Sequence, residues 1–214
     1  GGSVTPDMVR HQKSYDLVHT AHPFTGIHLT EHGLDVLENY VREVRDVIGY
    51  DVPLAIDHFG HVCVEDCIRF ARRMEKYNLA WMEDMVPWMY TDQYVRLRNS
   101  TTIPVCTGED IYLKESFRPL IEQGGGSVIH PDILTCGGAL ELKKIADMAD
   151  DHSVAVAVHM AESPVGCLAA VQTAAAMNHV LALEFHSVDV PWWGDMVTGI
   201  PKPLFQNGFI QVPE

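Results

Sequence analysis

The sequence predicts an α/β fold of the (β/α)-barrel kind, and three observations carry that prediction. From about residue 34 onward, short apolar runs alternate with longer segments of helical periodicity. The runs are apolar almost without interruption, as strands buried on both faces of a parallel sheet are. Six of them end in an ionisable residue: Asp57, Glu83, Glu109, Asp132, His159 and Glu184. Subtracting positions gives spacings of 26, 26, 23, 27 and 25 residues, one such group per βα unit. The alternation itself fits either a doubly wound open sheet or a closed barrel. A barrel gathers its strand ends on one face, where such folds place their chemistry, whereas an open sheet strews them along an edge. The repeated strand-end charge favours the barrel.

The elements follow in order. "LDVLENYVREVRDVIG" (34–49) is an amphipathic helix stopped by glycine, and "VPLAID" (52–57) is a strand. "VEDCIRFARRMEKYN" (64–78) has helical spacing, "LAWMED" (79–84) reads as a strand and "DQYVRLRNST" (92–101) as a helix. The strand "IPVCTGED" (103–110) precedes the helix "LKESFRPLIEQGG" (113–125), where the glycines at 124–126 act as a helix stop, not a phosphate cradle. "SVIHPDI" (127–133), the helix "GALELKKIADMADDH" (138–152) and the strand "VAVAVHMAE" (154–162) continue the rhythm. A small-residue helix, "GCLAAVQTAAAMN" (166–178), leads to the last clear strand, "VLALEF" (180–185). Residues 1–25 do not read as a clean first βα unit, so the expected organisation is an irregular segment over 1–25 and one barrel domain over 26–214.

Composition narrows the function. At 214 residues the chain is long enough for a sizeable core, with ordinary apolar (47%) and charged (21%) content. A formal charge of −14 argues against nucleic-acid and anionic-membrane partners, which need clustered Lys and Arg. No run approaches the length of a membrane span, and nothing reads as a secretory leader. The five cysteines form no CxxC pair, so a reducing, cytoplasmic setting is expected.

Three carboxylates closing consecutive strands (Asp57, Glu83, Glu109) would repel one another at a shared mouth. A hard divalent cation removes that repulsion, and oxygen donors suit Mg²⁺. Taken singly, each has an ordinary explanation as a helix cap or a loop charge. Asp132 and His159 end the next two strands, where a carboxylate would orient an imidazole for acid–base work. Glu184, one strand later, would hydrogen-bond a reacting oxygen. The alternative for this trio is a structural ion pair. Trp88, Trp192 and Trp193 follow strand-end motifs and are candidates for pocket lining or for packing.

The ordered motifs "AIDHFG", "WMED", "CTGED", "HPDILTCGG", "AVHMAESP" and "LEFHS", with the tail "FQNGFIQVPE", resemble the enolase superfamily in its mandelate racemase/muconate lactonizing enzyme-like group. The resemblance covers roughly residues 26–214 and implies a TIM-like (β/α)7β barrel, here incomplete and without the N-terminal α+β capping domain. It implies Mg²⁺ held by Asp57, Glu83 and Glu109, with His159 as base or acid, Asp132 as its orienting partner and Glu184 beside the intermediate. Members abstract the proton alpha to a carboxylate and stabilise the resulting enediolate on the metal. Two-base members carry a Lys-x-Lys pair at the end of the second strand. The corresponding stretch here is "FTGIHLTEHG" (24–33), with His28 near the second lysine's place. That absence disfavours racemisation by two lysine-type bases and favours a one-base dehydration of a sugar acid to a 2-keto-3-deoxy acid, with a racemase/epimerase or cycloisomerase of the same superfamily as the alternative. The family's dehydratases often place a histidine two residues after the first metal ligand. Here that position is Phe59, flanked by His58 and His61, so His28 and His58 are the candidate substrate contacts. A sugar-acid carboxylate is the expected partner, in a homo-oligomer. Two other readings stay open: a zinc-dependent amidohydrolase-type barrel using "HTAH" (19–22) and "HLTEH" (28–32), and a non-catalytic barrel.

Overall fold

A computed structural model describes residues 9–11, 27–57, 62–200 and 202–213. Contacts divide the chain into two compact units, residues 1–107 with 123–127 and residues 108–122 with 128–214.

In the first unit, β1 (Val9–His11) pairs antiparallel with β2 (Ile27–Leu29). The helix α1 (Glu31–Ile48) starts three residues before the apolar spacing predicts. Thr30 explains the earlier start: its hydroxyl accepts from Gly33 N at 3.0 Å, an N-cap that lets a polar first turn join the helix. Leu34, Val41 and Arg45 lie on the buried face of α1. The helix α2 (Val64–Met74) passes into a 3-10 turn over Glu75–Tyr77 and stops at Asn78, which takes the left-handed conformation. Ile56 bridges Met82 in parallel, and β3 (Met82–Glu83) pairs in parallel with β4 (Val105–Thr107). The helix α3 (Thr91–Arg98) buries Tyr94 and Leu97 completely beside this sheet's connection. These are parallel βα units, each supplying apolar strand residues (Met82, Val105 and Cys106 are fully buried) to a core shared with Phe70 and Met74.

The second unit holds α4 (Leu113–Glu122), β5 (Val128–Ile129), α5 (Ala139–Asp151), β6 (Ala155–Val158), α6 (Pro164–Ala174) and β7 (Val180–Leu183). β5 pairs in parallel with β6, and β6 with β7. Phe117, Ile129, Leu142, Ile145, Val156 and Val158 form its core. α6 begins at Pro164, capped by Ser163, whose hydroxyl accepts from Gly166 N. A hairpin of β8 (Phe205–Gln206) and β9 (Phe209–Ile210) turns on Asn207-Gly208, both at positive φ as a tight two-residue turn demands. Among the described residues no helix is long and apolar enough to cross a membrane.

The regular strands are shorter than the apolar runs that predict them. "LAWMED" contributes two strand residues and "VAVAVHMAE" four. Glu83 is itself the last residue of β3, and His159 follows the last residue of β6.

Candidate functional site

Four of the predicted site residues belong to the second unit, and the backbone itself brings three of them side by side. Asp132 and His159 are joined by a parallel bridge. Glu184 N donates to Val158 O at 3.0 Å, which lines Glu184 up with His159 across the β6–β7 pair. Glu109 follows Gly108, where the chain passes so close to its neighbours that a Cβ would lie 3.0 Å from His130 N and 3.0 Å from the Phe117 ring. Only glycine fits there, and Glu109 is delivered to the cluster by that close passage.

His159 is the centre of the arrangement. Its Nδ1 lies 2.7 Å from Asp132 Oδ2, while its Nε2 lies 3.2 Å from Glu109 Oε2 and 3.5 Å from Glu184 Oε2. Asp132 is fixed from the other side, since its Oδ1 accepts from Leu134 N at 2.6 Å and from Thr135 N at 3.2 Å. A carboxylate so anchored makes Nδ1 the protonated nitrogen and leaves Nε2 as the nitrogen that exchanges protons. Burial works against the imidazolium. The Asp132 hydrogen bond and the charges of Glu184, Glu109 and Asp132 outweigh it, so His159 holds its proton more tightly than an ordinary histidine. Burial likewise opposes the Asp132 carboxylate, but the bond from His159 and the other hydrogen bonds keep it below the usual carboxylate range.

Three residues around this centre were not predicted as site members. His186 Nε2 meets Glu184 Oε1 at 2.5 Å, and its ring stands 6.0 Å from the His159 ring. The buried His130 ring meets His159 edge-on at 5.8 Å. Glu162, three residues past His159, has both carboxyl oxygens shielded from solvent with no donor on them among the described residues. Burial, and then the neighbouring Asp132 carboxyl, push Glu162 up to about 7. The motifs "LEFHS" and "AVHMAESP" contain His186 and Glu162, but loop residues carry no periodicity that would single them out.

In the first unit, Asp57 follows the isolated bridge residue Ile56, all that forms of the predicted strand over 52–57, and Glu83 ends β3. The Ile56 carbonyl accepts from Glu83 N at 2.8 Å. Asp57 is exposed, and Glu83 is buried with the Trp81 indole N–H on one oxygen. Each offers only carboxylate oxygens, the donor chemistry a hard cation such as Mg²⁺ takes. His28, in the same unit, has its Nδ1 3.2 Å from both Asp66 Oδ2 and Cys63 Sγ. Arg69 also reaches Asp66, at 2.5 Å, so this is a polar knot already holding its own cation. His58, His61 and the "HTAH" stretch lie outside the described residues. Trp193 is a packing residue: it is buried against Met160, Cys167 and Val171, and its indole N–H donates to Glu162 O at 2.8 Å.

Residues 16–214 match the family described as "Enolase C-terminal domain-like". The chain belongs to that family, a TIM-barrel-like α/β domain, and its relatives are of the mandelate racemase/muconate lactonizing enzyme kind. It is 36% identical over 187 residues to the D-xylonate dehydratase of Haloferax volcanii, an alignment covering 87% of this chain and 45% of that enzyme. A solved mandelate racemase/muconate lactonizing enzyme-like protein from Rubrobacter xylanophilus superposes with a TM-score of 0.85 at 34% identity, over 87% of this chain and 47% of that one. The 3,6-anhydro-D-galactonate cycloisomerase of Zobellia galactanivorans gives 0.76 at 33% identity, over 84% and 50%. The chain therefore spans about half the length of these relatives. Of the architectures compatible with the strand-end pattern, the family assignment selects the enolase-type barrel over the zinc-hydrolase type.

Proposed function

We propose that this chain carries the catalytic barrel of a Mg²⁺-dependent sugar-acid dehydratase, a lyase that removes water from an aldonate to give a 2-keto-3-deoxy acid. The observation that carries the reading is His159, with Nδ1 held on Asp132 and Nε2 turned toward Glu109 and Glu184. Likeness to a D-xylonate dehydratase supports the substrate class. Asp57, Glu83 and Glu109 would hold the metal, supported by their strand-end positions and all-oxygen chemistry. When bound, Mg²⁺ offsets the second negative charge that a carboxylate acquires as its alpha proton leaves.

The chain's own residues then have defined tasks. His159 Nε2 removes the proton from C2, and the electron pair of that bond forms the enediolate. Asp132 keeps Nδ1–H in place and stabilises the imidazolium that results. Glu184 hydrogen-bonds a reacting oxygen. As the C3–O bond breaks, the proton carried by His159 leaves with the departing hydroxyl as water, and the enol tautomerises to the 2-keto product. His28 and His58 remain the candidate substrate contacts of this reading.

A cycloisomerase would share the first step and differ in what departs from C3, and the Zobellia galactanivorans enzyme keeps that reading in view. One experiment separates them. The full-length protein is incubated with an aldonate panel and Mg²⁺, in H₂O and in D₂O. The expected result is a 2-keto-3-deoxy product that requires Mg²⁺, and a His159→Asn protein slower by about 10²–10⁴-fold. Full activity in that variant, or neither product nor alpha-proton exchange with any sugar acid, would overturn the proposal.

A further inference from the structure

Glu162 has no part in the chemistry above, yet it is placed where an ionised carboxylate is hardest to keep. Asp132 already carries the negative charge that holds His159, and Glu162 stands beside it with both oxygens sealed from solvent. The seal is built from the second unit's own elements. A Cβ on Gly166 of α6 would lie 3.5 Å from the Glu162 carboxyl carbon and 3.2 Å from Leu134 Cδ1. Trp193 fixes the Glu162 carbonyl at 2.8 Å. The titratable groups acting on it among the described residues are Asp132 after β5, His159 after β6 and the Cys167 thiol of α6, itself pushed up to about 12.

Two carboxyl groups facing each other are two sets of acceptors, and only a proton makes a bond between them. Asp132 is not the one to carry it, because Leu134 N, Thr135 N and His159 Nδ1 all point hydrogens at its oxygens. Glu162 receives no such donor from the described residues. We propose that Glu162 is a positioning residue: it stands over Asp132 as a neutral acid, donates its carboxyl hydrogen to the Asp132 carboxylate, and so fixes the oxygen on which His159 rests. The proposal takes its meaning from the catalytic reading of the Asp132–His159 pair, but its physical content is a proton on a named carboxyl group.

The sign of the pH dependence follows. An acid that folding raises from about 4.3 to about 7 favours the folded state while it keeps its proton, and that contribution fades as pH rises between the two values. Above about pH 7 two carboxylates face each other and Asp132 loses its upper contact.

The test uses the full-length protein and two readouts. First, the Glu162 side-chain carboxyl carbon is followed by ¹³C NMR through a pH titration. A midpoint near neutrality is expected, and one in the ordinary glutamate range overturns the proposal. This measurement needs no turnover, so it stands or falls separately from the dehydratase reading. Second, Glu162→Gln keeps a donor toward Asp132 and cannot ionise. Its thermal midpoint is expected to exceed wild type by a few degrees at about pH 8 and to match it at about pH 4. On any sugar acid that is turned over, its kcat should hold on the alkaline side where wild-type kcat falls. A variant with the same pH–stability curve and the same alkaline limb as wild type overturns the positioning role.

Discussion

At the scale of single residues, the Asp132–His159 contact is the feature on which the proposed chemistry turns. Asp132 uses one oxygen to hold the backbone N–H groups of Leu134 and Thr135 and the other to hold His159, so its geometry is set by its own loop. Asp132→Asn keeps the shape but loses the charge. It is expected to lower kcat by about 10²–10⁴-fold and to let His159 release its proton at lower pH, which a kcat–pH profile reads directly. This pair was legible in the sequence because each member closes an apolar run, one βα unit apart. Glu162 was not. It sits in a loop between a strand and a helix cap, and its importance lies in which carboxyl it faces, a relation that no local pattern encodes.

At the scale of elements, the helices are longer-lived signals than the strands. The apolar spacing of α5 and α2 carried their limits to within a few residues, whereas α1 began early because Thr30 caps a turn that is polar in composition. Strands were overestimated because burial on both faces looks the same whether or not the backbone is in a ladder. The end of α1 offers a direct test of what ties these elements down. The buried Arg45 guanidinium donates to the carbonyls of Tyr77 (2.8 Å), Gly49 (2.9 Å), Val52 (2.8 Å) and Asn78 (2.7 Å). It thereby joins the helix terminus to the loop after it and to the turn that ends α2. Arg45→Met strips the donor from four carbonyls, the Tyr77 contact buried and the other three part-buried, and would cost on the order of 1–3 kcal/mol. Denaturant titration is the measurement. Arg45→Lys should recover only part of the loss, because an ammonium has three donors and no planar fork.

At the scale of the whole molecule, an acidic chain with a formal charge of −14 gains from any cation it binds specifically. If Asp57, Glu83 and Glu109 form the Mg²⁺ ligand set, Mg²⁺ at about 100 times its dissociation constant should stabilise the fold by about 2.7 kcal/mol. The resulting rise in thermal midpoint should be largely lost in Glu83→Gln, and an equal rise in the two proteins would remove Glu83 from the set. The barrel class was legible from the spacing of strand-end charges. Substrate identity was not, because in the proposed reading those charges set the reaction and not the shape that receives a substrate. The same spacing has a kinetic side. Asp132 and His159 touch across 27 residues, and Met160 N and Glu184 across 24. Each contact awaits closure of a whole crossover, so none can form while the chain is only locally ordered. The cluster around His159 should therefore be among the last features to appear during refolding, after the helices have already recovered their far-ultraviolet signal.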